Sequence, residues 1–258
     1  MKKNTVQLQH ATLGAGMPKI CVPVMGKNLR ELEAAALAAR EQADLIELRL
    51  DSVSPEIDAD ELCAVCRALR EKAQETALLA TMRTVRDGGA GDADAARYEA
   101  LLTTLAKAHV CDALDAELSV GEDAFARIVK AAHAAGVPVV GSFHDFEKTP
   151  SIGAMENKLR RMAALGADVC KIAVMPKTEE DVRALQTACA RANDALTQPI
   201  IAISMGALGV STRTQAEVFG SCLSFGTVGA ASAPGQMEAR ALRQALEALH
   251  KKLTNREP

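Results

Sequence analysis

Eight short apolar runs recur along the chain, at residues 20–24, 45–50, 77–82, 110–118, 137–143, 168–175, 199–205 and 223–228. Between them lie Ala- and Leu-rich segments with charges on one face, such as residues 29–40 and 155–165. A strand followed by a helix, repeated, requires parallel pairing through crossovers. Eight such units favour a closed (β/α)₈ barrel, the TIM barrel, over an open sheet. The length of 258 residues suits one barrel of ~250 residues. An open doubly wound sheet often carries a Gly-rich phosphate turn after its first strand. The corresponding turn here, VPVMGKN at 22–28, has one glycine. Residues 5–13 are read as a short strand or hairpin that closes the barrel bottom, and residues 236–253 as the last helix. No linker or compositional break divides residues 1–258, which are read as one domain.

Composition narrows the class. Hydrophobic residues make up 48% of the chain but aromatics only 2%, so Ala, Leu, Ile, Val and Met must build the core. A net charge of −3 gives no electrostatic basis for a nucleic-acid partner or an anionic membrane surface. No run approaches the ~20 apolar residues of a membrane span. The first residues, MKKNTVQLQHATLG, lack the apolar segment of a signal peptide, and the expectation is a cytoplasmic protein. The seven cysteines are scattered, and Cys63-x-x-Cys66 has no second pair behind it. Both are read as buried thiols on one helix rather than as a metal or redox site.

Barrel strands bury both faces and should be almost wholly apolar, so charges within them cost free energy unless paired or functional. Period-two alternation separates the faces. Glu47 and Arg49 share one face of the second run, opposite Ile46, Leu48 and Leu50. Thr81 and Arg83 share a face in the third, Asp115 and Glu117 in the fourth, Ser142 and His144 in the fifth, and Lys171 and Met175 in the sixth. Two guanidinium groups, three carboxylates, an imidazole and an amine thus converge near the C-terminal strand ends, where barrel active sites lie. The competing reading is a set of structural ion pairs, for example Glu47 with Arg49 or Lys171 with Glu117. Agreement across five neighbouring strands favours a site.

Lys171 lies within DVCKIAVM, apolar on both sides. Loss of hydration disfavours a charged ammonium, and a neutral amine is a nucleophile suited to carbonyl carbons. His144 ends the neighbouring run, and adjacent strands lie ~4.8 Å apart, so both can reach one small substrate. An imidazole moves protons both ways near neutral pH.

Six motifs at successive strand ends carry a resemblance. They are ELRLD (47–51), TMRT…DGG (81–89), FHDFEKTP (143–150), KIAVMP (171–176), SMGALGVSTR (204–213) and ASAPGQ (231–236). In that order they resemble type I 3-dehydroquinate dehydratase, the Schiff-base-forming hydro-lyase of the shikimate pathway and of aromatic amino acid biosynthesis. The resemblance covers nearly the whole chain. It implies a (β/α)₈ barrel that converts 3-dehydroquinate to 3-dehydroshikimate and water, commonly as a homodimer. It implies Lys171 as the imine-forming lysine and His144 as the general acid/base. It also implies Arg213 as the carboxylate ligand, with Glu47, Arg49 and Arg83 around the ring hydroxyls and Met205, Ser232 and Gln236 contributed by the last loops. Asp87, expected among the substrate-binding residues, stands where the family often has a glutamate, one methylene longer. Pro23 stands near where some members have serine.

The chemistry needs such groups. Proton loss beside a ketone wants an electron sink, which a protonated imine supplies, and expulsion of hydroxide wants a general acid, worth ~10²–10⁴ in rate. A planar Arg fork matches a carboxylate. No step calls for a metal or an organic cofactor. The loop GTVGAASAPGQ (226–236) is read as a lid over a polyol rather than a phosphate cradle, chiefly on the resemblance. Two other readings stay open on the sequence: a Schiff-base aldolase on the same fold, and a catalytically silent barrel that binds a metabolite or protein.

Overall fold

The computed structural model describes residues 3–53, 57–229 and 233–255. Two short strands come first, β1 (Val6–Leu8) and β2 (Ala11–Leu13), paired antiparallel. Eight parallel strands follow: β3 (Lys19–Val24), β4 (Leu45–Arg49), β5 (Ala77–Thr81), β6 (Ala113–Glu117), β7 (Val139–Asp145), β8 (Val169–Val174), β9 (Ile200–Ser204) and β10 (Leu223–Thr227). Helices α1 (Leu29–Arg40), α2 (Ala59–Ala73), α3 (Ala95–Lys107), α4 (Glu122–Ala134), α5 (Ile152–Ala164) and α6 (Glu179–Ala195) cross between successive strands. The short α7 (Val210–Thr214) follows β9, and α8 (Ala239–Thr254) follows β10. Strands pair in chain order from β3 to β9, and β10 returns to pair with β3. A single bridge, Ile200 with Ser221, joins the β9 side to the β10 side, reinforced by the Cys222 amide donating to Ile200 O at 2.8 Å. The expected (β/α)₈ barrel is therefore the observed one.

Alternation along the strands sorts the side chains into two layers. Ile46, Leu48, Leu78, Leu114, Ile172 and Ala202 face outward and pack with helix residues such as Leu32, Leu69, Leu105 and Leu159. Cys21, Leu45, Leu79, Ala113, Val140, Val169, Ile201 and Leu223 face inward and fill the lower barrel. Leu8, Ala11 and Leu13 of the N-terminal hairpin join that inner cluster, so the hairpin plugs the bottom as expected. The helices start where capping predicts: Asp58 and Thr178 each form a reciprocal capping box, with Glu61 and Asp181.

One device repeats at the barrel base. Asp44, just before β4, accepts the Ile20 amide of β3 at 2.7 Å and binds Arg243 of α8. Asp112, before β6, accepts the Leu78 amide of β5 at 2.7 Å and binds Arg70 of α2. Asp168, before β8, accepts the Val139 amide of β7 at 2.7 Å and meets His133 of α4 at 2.8 Å. Each carboxylate ties one strand to the next and to a neighbouring helix, which fixes parallel register. At the β9–β10 join the comparable acceptor is the neutral Ser221 hydroxyl, 3.1 Å from the Ala202 amide.

Two expectations need adjustment. The last helix starts at Ala239 rather than residue 236, because Met237–Glu238 forms a two-residue strand beside β10. Gln236 thus sits in the preceding loop. The fifth run extends to Asp145, which places His144 inside strand β7 rather than at its end.

Candidate active site

Above the apolar floor the barrel interior turns polar, at the C-terminal strand ends. Strand register sets the neighbours: Arg49 lies beside Thr81, Thr81 beside Asp115, Glu117 beside Ser142, and Ser142 beside Lys171. Glu47, Arg49, Arg83, Asp87, His144, Lys171, Met205, Arg213 and Gln236 all line one cleft. Ser232, the remaining expected site residue, lies outside the described residues. Pro23 also faces this cleft. A wider, mostly apolar groove beside α2 and α3 holds neither Lys171 nor His144.

Lys171 is buried, and its Nζ lies 3.2 Å from Asp115 Oδ2 and 3.4 Å from Glu47 Oε1, with the Phe225 ring centroid at 4.7 Å. The anticipated pairing with Glu117 is not made. Glu117 instead takes Arg83 Nη1 at 2.8 Å and two bonds from Thr84, through its amide at 2.8 Å and its hydroxyl at 2.6 Å. Nor does Arg49 pair with Glu47. It forms a two-pronged bond to Asp51, at 2.8 and 2.7 Å, because the chain turns sharply at Leu50–Ser52 and folds the aspartate back. Arg83 also reaches Asp115 Oδ2 at 2.9 Å. Burial opposes the Arg83 charge, but Asp115 and Glu117 outweigh it and hold the guanidinium firmly protonated. Burial likewise opposes the Asp115 charge, yet Arg83, Lys171 and His144 together keep that carboxyl far below the usual range.

Asp87 answers the question its short side chain raises. Its Oδ2 accepts the His144 backbone amide at 2.9 Å and His144 Nδ1 at 3.0 Å. The loop after β5 can bring it there because two glycines follow. Gly88 has φ +79°, and a Cβ there would lie 2.3 Å from the Phe146 ring; a Cβ on Gly89 would lie 2.1 Å from Arg83 O. Phe146 in turn lies roughly parallel to the His144 ring, 6.4 Å away. With Nδ1 committed to Asp87, Nε2 is the basic ring nitrogen. Burial, followed by Arg83 and Lys171, pushes the His144 pKa well below that of a free imidazole, so the ring is neutral near pH 7.

Arg213 differs from the other two cleft arginines. It is 1% exposed, yet no carboxylate pairs with it among the described residues. Its Nη1 and Nη2 donate to the carbonyls of Phe225 at 3.3 Å and Pro234 at 3.1 Å, and Nε has no partner. Burial alone pulls its pKa down to about 10.

The residues that sequence reasoning placed on the inner face but left out of the site, Asp115, Glu117 and Ser142, organise the cations. Asp51 was missed, although it closes the ELRLD motif. It lies past the strand end, where period-two reading stops. Thr84 carries no charge to attract notice.

Fold and cleft together define an α/β-barrel enzyme with a buried lysine, a neutral histidine and an uncompensated arginine at one mouth. The family model of type I 3-dehydroquinase matches residues 20–253. A 3-dehydroquinate dehydratase from Bacillus licheniformis is 41% identical over 253 residues, covering 97% of this chain and all of that protein. One from Lactiplantibacillus plantarum is 42% identical, covering 95% and 97%. The crystal structure of a type I 3-dehydroquinate dehydratase from Clostridium difficile, with covalently modified comenic acid, superposes with a TM-score of 0.93 at 37% identity, covering 97% and 99% of the two chains. This chain belongs to the type I 3-dehydroquinase family, and so is a hydro-lyase.

Proposed function

We propose that the protein removes water from 3-dehydroquinate to give 3-dehydroshikimate through an imine on Lys171. The observation that carries this is Arg213. A buried guanidinium without an acid partner is costly and is satisfied by a ligand carboxylate, in the same cleft as an amine and a neutral imidazole. The substrate has both a carboxylate and a ketone.

In this reading Lys171 Nζ attacks the ketone carbon and the ketone oxygen leaves as water. His144 Nε2 takes the proton beside the iminium carbon, the electron pair passing to the nitrogen. The enamine then expels the hydroxyl one carbon further on, and His144 returns its proton to that leaving oxygen. Water hydrolyses the product imine and frees Lys171. Asp87 keeps His144 in the tautomer this requires. Arg49, Arg83 and Glu47 supply hydrogen bonds to ring hydroxyls, with Met205, Gln236 and Ser232 covering the ring from the last loops. The covalently modified comenic acid in the Clostridium difficile relative supports a family site able to form a covalent bond.

The product is a conjugated enone carboxylate, so the test is an ultraviolet absorbance rise on adding 3-dehydroquinate. Folded protein that gives none refutes the reading. A Schiff-base aldolase with the same lysine would yield no such chromophore. Family resemblance extends the proposal to one catalytic domain over 1–258, a cytoplasmic location and a homodimer. No helix among the described residues is long and apolar enough to cross a membrane. Light scattering that returned the mass of one chain would overturn the dimer.

A further inference from the structure

Lys171 meets two carboxylates, and they are held very differently. Asp115 is fully buried, and both its oxygens are engaged. Oδ1 accepts the Ser142 hydroxyl at 2.6 Å, and Oδ2 is shared by Arg83 Nη2 at 2.9 Å and Lys171 Nζ at 3.2 Å. Its side chain is short, and its donors come from the loop after β5, from β7 and from β8. Glu47 has one further methylene, lies farther from Nζ at 3.4 Å, and accepts one other bond, from Thr81 Oγ1 at 3.1 Å.

The two acids draw on a limited supply of N–H donors. An ammonium offers three and can serve both acids. Imine formation, the step on which this inference rests, joins Nζ to the ketone carbon and expels the ketone oxygen as water. The protonated imine nitrogen keeps one N–H. One carboxylate must therefore be given up.

We propose that Asp115 is the permanent counter-ion of the Lys171 nitrogen, retained against the protonated imine, while Glu47 is released to accept a substrate hydroxyl. Asp115 is then a positioning residue that keeps the electron sink charged, and Glu47 is a substrate ligand. The other charged or titratable groups around this nitrogen are Arg83 from the β5 loop, His144 on β7 and Cys21 on β3 beneath it. Phe225 on β10 and Ile201 on β9 close the remaining sides with apolar surface. Arg83 repels a positive nitrogen, so without Asp115 the protonated imine loses its nearest fixed anion.

Two folded variants separate the roles. In Asp115→Asn the basic limb of the kcat–pH profile moves at least one pH unit toward acid and kcat falls roughly a hundredfold or more, since the imine sheds its proton earlier. KM changes by only a few-fold. In Glu47→Gln the pattern reverses: KM rises about tenfold or more and the limb stays in place. Melting curves identify a misfolded Asp115→Asn. In that event Ser142→Ala, which removes the orienting 2.6 Å bond and no charge, must shift the limb the same way by less. An unmoved limb in the folded Asp115 or Ser142 variant overturns the proposal. Borohydride with 3-dehydroquinate controls the premise. Wild-type protein that yields no Lys171 adduct by mass spectrometry refutes imine chemistry itself, a result distinct from an adduct with an unshifted limb.

Discussion

Replacing Arg213 by methionine should stabilise the ligand-free protein while weakening substrate binding. The guanidinium is 1% exposed, and burial holds its pKa at about 10. Because the folded-state pKa is depressed and both folded and unfolded chains carry the charge at pH 7, the shift counts against folding there. It corresponds to roughly 3 kcal/mol. Methionine fills a similar volume without charge but forfeits the two bonds to the Phe225 and Pro234 carbonyls, each worth about 1 kcal/mol. The balance is a gain of about 1 kcal/mol, which raises Tm by roughly 2–4 °C in a chain of this size. Substrate binding moves the other way. A carboxylate bonded to a charged donor is worth about 1.5–3 kcal/mol, so KM should rise roughly 10- to 100-fold, with kcat falling less than about tenfold because the reacting atoms sit at Lys171. Scanning fluorimetry with and without 3-dehydroquinate and steady-state kinetics read both effects. A lower Tm in the ligand-free variant, or an unchanged KM with collapsed kcat, would refute the account of Arg213 as an unpaired cation awaiting the substrate carboxylate.

Lys171→Ala should abolish both turnover and the borohydride adduct; any residual adduct at full yield would contradict the imine. His144→Ala should still form an adduct while turnover falls ~10²–10⁴-fold, and near-normal turnover would remove His144 from proton transfer. Because the His144 pKa is lowered by burial and by Arg83 and Lys171, its basic form survives below the ordinary imidazole range of ~6.5. The acid limb of kcat/KM should accordingly lie below that value, and a limb at or above it would refute the lowered basicity of His144. Asp87→Ala should leave His144 free to rotate and lower kcat at least about tenfold with little change in KM; an unchanged kcat would deny Asp87 its orienting role.

Much of the barrel was legible because strands buried on both faces announce themselves as apolar runs, and each inward charge then stands out. Glu47, Arg83, Lys171 and His144 were found in that way. The pairing among them was not legible. Alternation tells which face a side chain occupies but not which of two acids a lysine meets, and Lys171 chose Asp115 and Glu47 over Glu117 because Arg83 and Thr84 had already claimed the latter. Beyond strand ends the period is lost altogether. Asp51, folded back onto Arg49, and Gln236, freed from the helix by a two-residue strand, are products of turn geometry. Asp87 was placed by resemblance, and its contact with His144 depends on what Gly88 and Gly89 permit.

The aspartates at the barrel base divide the eight strands into four pairs, three of them pinned by a half-buried carboxylate and the last by a serine hydroxyl. Charge-assisted hydrogen bonds are roughly twice as strong as neutral ones, so the β9–β10 pair is the least firmly latched quarter of the cylinder. Lys171, Asp115 and His144 stand on latched quarters, whereas Arg213 and the loop through Pro234 hang from the unlatched one. On the function proposed above, the reacting end of the substrate would be held by the stiff side of the molecule, and the end that is merely recognised by the side that yields most cheaply. Amide exchange should find the difference first at Ala202 and Cys222.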